Sequence, residues 1–234
     1  VAGTVVTMNL TGLKYGANVV TLNLSDKAGN AAAAVSGTVN VTDTVAPVID
    51  DTSWSIVGGS WISTNAPTLT VAVSDAEPSS GINAGSIAVG FSGAGSVSSS
   101  GYDSGTGLVT LNLTALPEGS NTITLNISDN DSNAATQKSV TFSVDTMPPV
   151  IDDLSWSIPE GDWIGVDNAT LTVTVTDSGI GVDLSSAVVG DSGTGTVGIL
   201  AYDSVTHVLS IPLSDLGEGE HAITLDIDDA VGNH

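Results

Sequence analysis

An all-β chain of tandem seven-strand antiparallel sandwiches, joined end to end, is what this sequence predicts, and three observations predict it. A block of about 100 residues repeats along the chain. Short apolar and polar alternations divide each block into strands, and no helical period of useful length competes with them.

The repeat sets the organisation. DTVAPVIDDTSWSI from Asp43 returns as DTMPPVIDDLSWSI from Asp145, an offset of 102 that also carries Trp54 to Trp156 and Trp61 to Trp163. Further along the offset settles at 100, taking Tyr102-Asp103 to Tyr202-Asp203 and Glu118-Gly119 to Glu218-Gly219. Upstream, the stretch from Val5 to Asn30 matches Leu108 to Asn133 at an offset of 103. Residues 1–42 therefore read as the C-terminal half of a repeat, 43–144 as a complete repeat and 145–234 as a repeat lacking its last strand. With neither terminal unit complete, the sequence is expected to be a window on a longer array.

In the middle repeat, strand-like alternation falls near 47–57, 68–74, 86–92, 96–102, 107–114, 121–128 and 135–144, between clusters of Gly, Pro, Asn, Asp and Ser. TLTVAVS and NTITLNIS put Leu, Val and Ile on one face and Thr, Asn and Ser on the other, the pattern of strands half buried in a two-sheet stack. This count and spacing fit an immunoglobulin-like sandwich, here without a cysteine pair.

Composition narrows the function. There are 26 Asp plus Glu against 3 Lys plus Arg, a net charge of −23. A nucleic-acid groove or an anionic membrane surface needs clustered Lys and Arg, and Lys14, Lys27 and Lys138 cannot supply one. The 41% hydrophobic content sits in strand-like runs, so the chain is expected to fold despite its charge. Without Cys, neither disulfides nor thiolate chemistry is available. No apolar run approaches the ~20 residues that span a bilayer, so no direct membrane insertion is expected.

DTVAPVID, the SDAEPSSGI and TDSGIG turns, and the LPEGSNTITLNISDNDSN and LKYGANVVTLNLSDKAGN hairpins resemble the tandem bacterial Ig-like repeats of large cell-surface adhesins and surface-layer proteins. The resemblance covers the whole chain. It implies a non-catalytic, extracellular structural segment, an adhesin stalk or cell-surface filament, stiffened by calcium at its domain junctions. The same module also serves as a surface-layer lattice component or as a glycan- or partner-binding unit. The Asp-x-x-Gly-Asn turn of that family is kept at Asp26 to Asn30 and Asp229 to Asn233, whereas the middle repeat departs with Asp129-Asn130-Asp131-Ser132-Asn133.

Chain order in such a sandwich brings the opening segment, the second-to-third loop and the sixth-to-seventh loop to one end. Candidate metal ligands follow: Asp43, Asp75, Asp129 and Asp131 in the middle repeat, and Asp145, Asp177, Asp228 and Asp229 in the last. Carboxylates gathered without Lys or Arg repel one another, and raised pKa values or a bound cation relieve this. Calcium suits hard oxygen ligands on flexible loops. The plainer alternative is that these aspartates cap turns and stay solvated. An isolated EF-hand is not expected, because its sixth position holds Ala134 and its twelfth Val140.

Other motifs carry less. Gly193-Thr194-Gly195-Thr196-Val197-Gly198 matches G-x-G-x-x-G, but no helix follows to receive a phosphate, so it reads as a β-turn. His207, His221 and His234 lack metal-ligand spacing, no catalytic triad is assigned, and an enzyme is not expected. Trp54, Trp61, Trp156 and Trp163 are expected to pack at one end of each sandwich or between neighbouring repeats. Asn9, Asn23, Asn40, Asn112, Asn126, Asn130 and Asn168 open N-glycosylation sequons. The expected partners are neighbouring repeats, identical chains in a filament or lattice, and N-linked glycans.

Overall fold

The computed structural model describes residues 5–234; residues 1–4 of the expected leading half-repeat lie outside the described residues. Strands β1 (Gly16–Leu22) and β2 (Val35–Val41) come first. The middle repeat supplies β3 (Val48–Ile49), β4 (Trp61–Ile62), β5 (Thr68–Ser74), β6 (Ile82–Phe91), β7 (Ser96–Asp103), β8 (Leu108–Thr114), β9 (Gly119–Asp129) and β10 (Lys138–Val144). The last repeat supplies β11 (Val150–Asp152), β12 (Ala169–Thr176), β13 (Val188–Asp191), β14 (Thr196–Val197), β15 (Ala201–Asp203), β16 (Val208–Ser214) and β17 (Ile223–Asp226), with two single-turn 3-10 segments. The chain is nearly all β, with several antiparallel sheets, and β4 pairs with β10 in parallel.

Two compact units result. The first comprises Val1–Val57, Thr68–Thr114 and Thr122–Val140, and the second Gly58–Pro67, Ala115–Asn121 and Thr141–His234. The first contains the β1-β2 pair and a sheet in the order β3-β5-β8-β7, and the second contains β11-β12-β16-β14, with β15 also on β16, and the β13-β17 pair. A further sheet has the order β4-β10-β9-β6.

Period-2 patterning drives the core. In β5, Leu69, Val71 and Val73 are buried, as are Val109, Leu111 and Leu113 in β8, while the alternate Thr and Asn side chains face outward. The register Leu69↔Leu111 and Val71↔Val109 puts like faces together, and burying each such side chain stabilises by roughly 1.5–3 kcal/mol. Leu171, Val173, Val175, Leu209 and Ile211 repeat the arrangement on β12 and β16.

Two expectations are corrected. The strand expected at 47–57 is only Val48–Ile49, because Asp50 accepts from the Thr52 N–H and hydroxyl and closes a turn that interrupts the ladder, although Ser53 and Ser55 beyond it still bond to β5. A separate short strand follows at Trp61–Ile62, which makes eight strands in the repeat instead of seven. The tryptophans also divide. Trp54 is buried with its indole N–H on Asp51, but Trp163 is 91% exposed. Trp61 is sheltered by its parallel pairing with Ser143, and the described residues give Trp163 no such strand.

The leading segment differs from the middle repeat in its burial. Met8, Leu10 and Val39 are exposed, although their counterparts Leu111, Leu113 and Phe142 are core residues of the middle repeat.

Candidate metal centre

One carboxylate from each of Asp43, Asp75 and Asp129 gathers within 4.8 Å of the others, and Asp145, Asp177 and Asp229 repeat the arrangement. Three elements build each triad. The first Asp opens the repeat, the second follows β5 or β12, and the third ends β9 or follows β17. Because side chains alternate along a strand, the third Asp continues the inward face of Ile123, Leu125 and Ile127 in the middle repeat.

The groups are deeply placed. Asp129 is 0% exposed, Asp145 and Asp229 are 1% and Asp43 is 4%. A buried carboxylate is costly unless it is hydrogen-bonded or paired with a cation. Hydrogen bonds meet part of that need. The N–H groups of Ser80, at 2.8 Å, and Val45, at 2.9 Å, donate to Asp43 and hold its carboxyl below the usual carboxylate range. Ile180 N–H donates to Asp145 at 2.7 Å.

An Asn four residues beyond the third Asp completes each shell. Asn133 Nδ2 donates to Asp129 at 2.6 Å and to the Asp43 carbonyl at 3.2 Å. Asn233 Nδ2 does the same for Asp229 at 2.6 Å and the Asp145 carbonyl at 2.9 Å. The Asp-x-x-x-Asn spacing was visible as a turn motif, but its bridging amide was not. The leading segment has the same cap, Asn30 Nδ2 to Asp26 at 2.8 Å.

What the protein does not meet defines the centre. Asp75 Oδ1 and Asp177 Oδ2 are buried oxygens without a hydrogen-bond partner, one in each triad. Among the described residues Lys138–Asp51 is the sole lysine ion pair, so no described lysine neutralises either cluster. Hard oxygens, a concentrated negative charge and an orphaned acceptor fit a divalent cation such as calcium.

Asp131 and Asp228 stand outside the triads. Asp131 instead accepts from the Asp43 N–H at 2.9 Å and the Tyr15 hydroxyl at 2.8 Å, and the latter bond raises the Tyr15 pKa. Asp228 neighbours Asp229, so alternation turns it to the opposite face, where it meets His234 Nδ1 at 2.7 Å. At the turn position where Tyr15 stands, the next repeat has Glu118, which accepts from the Thr146 N–H and hydroxyl.

Ser132 takes a φ of 72° where Gly29 and Gly232 take 88° and 85°. A side chain in this left-handed region costs ~1–2 kcal/mol, partly offset by the greater unfolded-state freedom of Gly. Ser132→Gly is therefore expected to stabilise the chain by up to ~1 kcal/mol in urea unfolding, and a loss of stability would contradict the turn geometry.

No protein-family profile matches the chain, and no characterised protein matches its sequence. Among solved structures it is similar to InvD of Yersinia pseudotuberculosis, at 16% identity and a TM-score of 0.34, covering 77% of this chain and 52% of that one. It is similar to the D00-D0 domain of intimin at 11% identity and a TM-score of 0.34, covering 78% and 98% of the two chains. Domains 4–9 of the surface layer protein SbsC give 15% identity and a TM-score of 0.30, with coverages of 93% and 38%. This chain thus spans about half the length of the InvD structure.

Proposed function

We propose that this chain is a non-catalytic structural segment of a long extracellular surface protein, an adhesin stalk or cell-surface filament. Residues 43–144 are one complete Ig-like repeat, 145–234 a repeat lacking its last strand, and 1–42 the trailing half of another. Each acid triad, Asp43–Asp75–Asp129 and Asp145–Asp177–Asp229, binds calcium where one repeat passes into the next.

The observation that carries this reading is that one acid geometry is built twice at the repeat offset, down to the bridging Asn and the orphaned oxygen. A chain using aspartate only to cap turns has no reason to bury two together beside a half-buried third and leave one of its oxygens unpaired. Contacts from one repeat to the next point the same way: Tyr15 reaches Asp131 in the turn between β9 and β10, and Glu118 reaches Thr146 in the opening of the last repeat. A bound ion supplies positive charge between three carboxylates drawn from separate loops, and so fixes those loops to one another. The acidic exterior keeps neighbouring chains soluble and apart.

Small-angle X-ray scattering of the chain in EDTA and in millimolar calcium tests the mechanical part. The expected result is a more extended and more uniform particle in calcium. Superimposable scattering curves in the two media would remove calcium stiffening from the function.

A further inference from the structure

One turn recurs in all three repeats and is closed in two chemical ways. Asn18 Nδ2 donates back to the Lys14 carbonyl at 2.7 Å and the Gly16 carbonyl at 3.0 Å. Asn121 Nδ2 donates to the Pro117 and Gly119 carbonyls, both at 2.8 Å. The last repeat has His221 at this place, with Nε2 2.9 Å from the Gly217 carbonyl. Each turn passes through a glycine of positive φ, Gly16, Gly119 or Gly219.

The imidazole has a second nitrogen, and the last repeat supplies it with a partner. Nδ1 lies 3.0 and 2.9 Å from the two oxygens of Asp191, at the position where the middle repeat has Phe91. The His221 side chain is 16% exposed and that of Asp191 5%. A carbonyl and a carboxylate only accept hydrogen bonds, so both ring nitrogens must carry hydrogen for both contacts to be made. Only the imidazolium does so. Either neutral tautomer turns a lone pair against an acceptor.

The surrounding turn is shaped to this pair. Gly193 and Gly195 N–H groups donate to Asp191 at 2.9 and 3.0 Å. A side chain at Gly193 would run into the imidazole, and one at Gly195 into the Asp191 carboxylate and Leu216. The G-x-G run set aside as a phosphate motif thus has a local purpose, because it lets the backbone close over the ion pair.

We propose that His221 and Asp191 form a pH-sensitive latch holding the turn at residues 216–220, the counterpart of the turn that places Glu118 on Thr146. Asp191 is the charged group that faces the imidazole from β13, and the turn at 192–195 adds only neutral donors. Asp215, Glu218 and Glu220 lie on the segment of His221 itself, and Asp167 lies on the stretch whose carbonyl accepts from Leu216 N–H. These acids also favour the protonated ring. The Gly217 carbonyl first, and then Asp191, raise the His221 pKa. Burial opposes the Asp191 charge, but the Gly193 N–H, His221 and the Gly195 N–H outweigh it and hold that carboxyl below its ordinary range. The sign follows from the raised imidazole pKa: the latch is fully closed below the pKa of His221 in the unfolded chain and is lost as pH rises through its folded value.

Imidazole nitrogen NMR on the 234-residue chain across roughly pH 5–9 tests this directly. Both His221 nitrogens should be protonated at neutral pH, with a titration midpoint above that of the urea-unfolded chain. Amide exchange at residues 216–220, corrected for intrinsic base catalysis, should accelerate about tenfold per pH unit between the two midpoints. The double variant Asp191→Phe with His221→Asn installs the pair used by the middle repeat and should flatten that dependence. A neutral His221 at pH 7, or corrected exchange that ignores pH in the unsubstituted chain, would overturn the latch. Should the double variant fail to fold, Asp191→Asn serves instead and should lower the His221 midpoint; an unmoved midpoint also overturns it.

Discussion

Millimolar calcium is expected to raise the melting temperature of the 234-residue chain, and EDTA to bring it back. The two largely buried triads carry three formal charges each, with one unpartnered oxygen apiece, so the ion-free fold holds like charges together. A ligand that binds only the folded state stabilises it by RT ln(1 + [L]/Kd), about 2.7 kcal/mol per site at a hundred times Kd. For domains of this size that is a shift on the order of 10 °C. Asp75→Asn should separate the metal from ordinary turn capping, because its effect changes sign. Without calcium it removes one charge from a repelling set and should raise the melting temperature. With calcium present it removes a ligand, so the variant should respond less than the parent and melt below it. Equal melting of the parent in EDTA and calcium would rule out the metal, whatever the variant does. Magnesium should be the weaker stabiliser, since it demands a near-ideal octahedron and gives up its water reluctantly.

Much of this was legible in the sequence because the informative quantities were periodic. The offset of 102 and the alternation of TLTVAVS depend on covalent spacing alone, and both β5 and the burial of Leu69, Val71 and Val73 follow from them. The acids at 43, 75, 129, 145, 177 and 229 were readable because chain order brings their loops to one end. Asp131 and Asp228 lie outside the two triads for a local reason. Counting acids in a loop says nothing about which face each side chain takes, and alternation beside Asp229 sends Asp228 outward. The broken first strand was hidden by Asp50, whose side chain competes with the sheet for backbone donors. The partnership of His221 with Asp191 was out of reach, since it joins residues 30 apart whose counterparts in the middle repeat are Asn and Phe.

Gly179→Ala is expected to disable the second centre while sparing the first. In the last repeat the Asp145 carboxylate occupies the space where a side chain on Gly179 would begin, and a Cβ there would overlap its Cγ and both oxygens. Asp145 has little room to yield: it is 1% exposed, and Ile180 N–H, next to Gly179, holds it at 2.7 Å. The carboxylate must therefore swing out of the triad, or the turn at 177–181 must open and release the N–H bonds of Gly179 and Gly181 to Asp177. Either movement separates Asp145 from Asp177, so calcium loses a ligand. The overlap itself should cost ~1–3 kcal/mol. In calcium, loss of the linked binding energy adds to it and brings the deficit to about 4 kcal/mol or more. The middle repeat has its own loop, Asp75 to Gly81, and its triad should bind as before. Isothermal titration should accordingly show one calcium in place of two. Two undiminished binding events in a folded Gly179→Ala chain would mean that Asp145 is not a ligand, and that the acids of the last repeat only shape its turns.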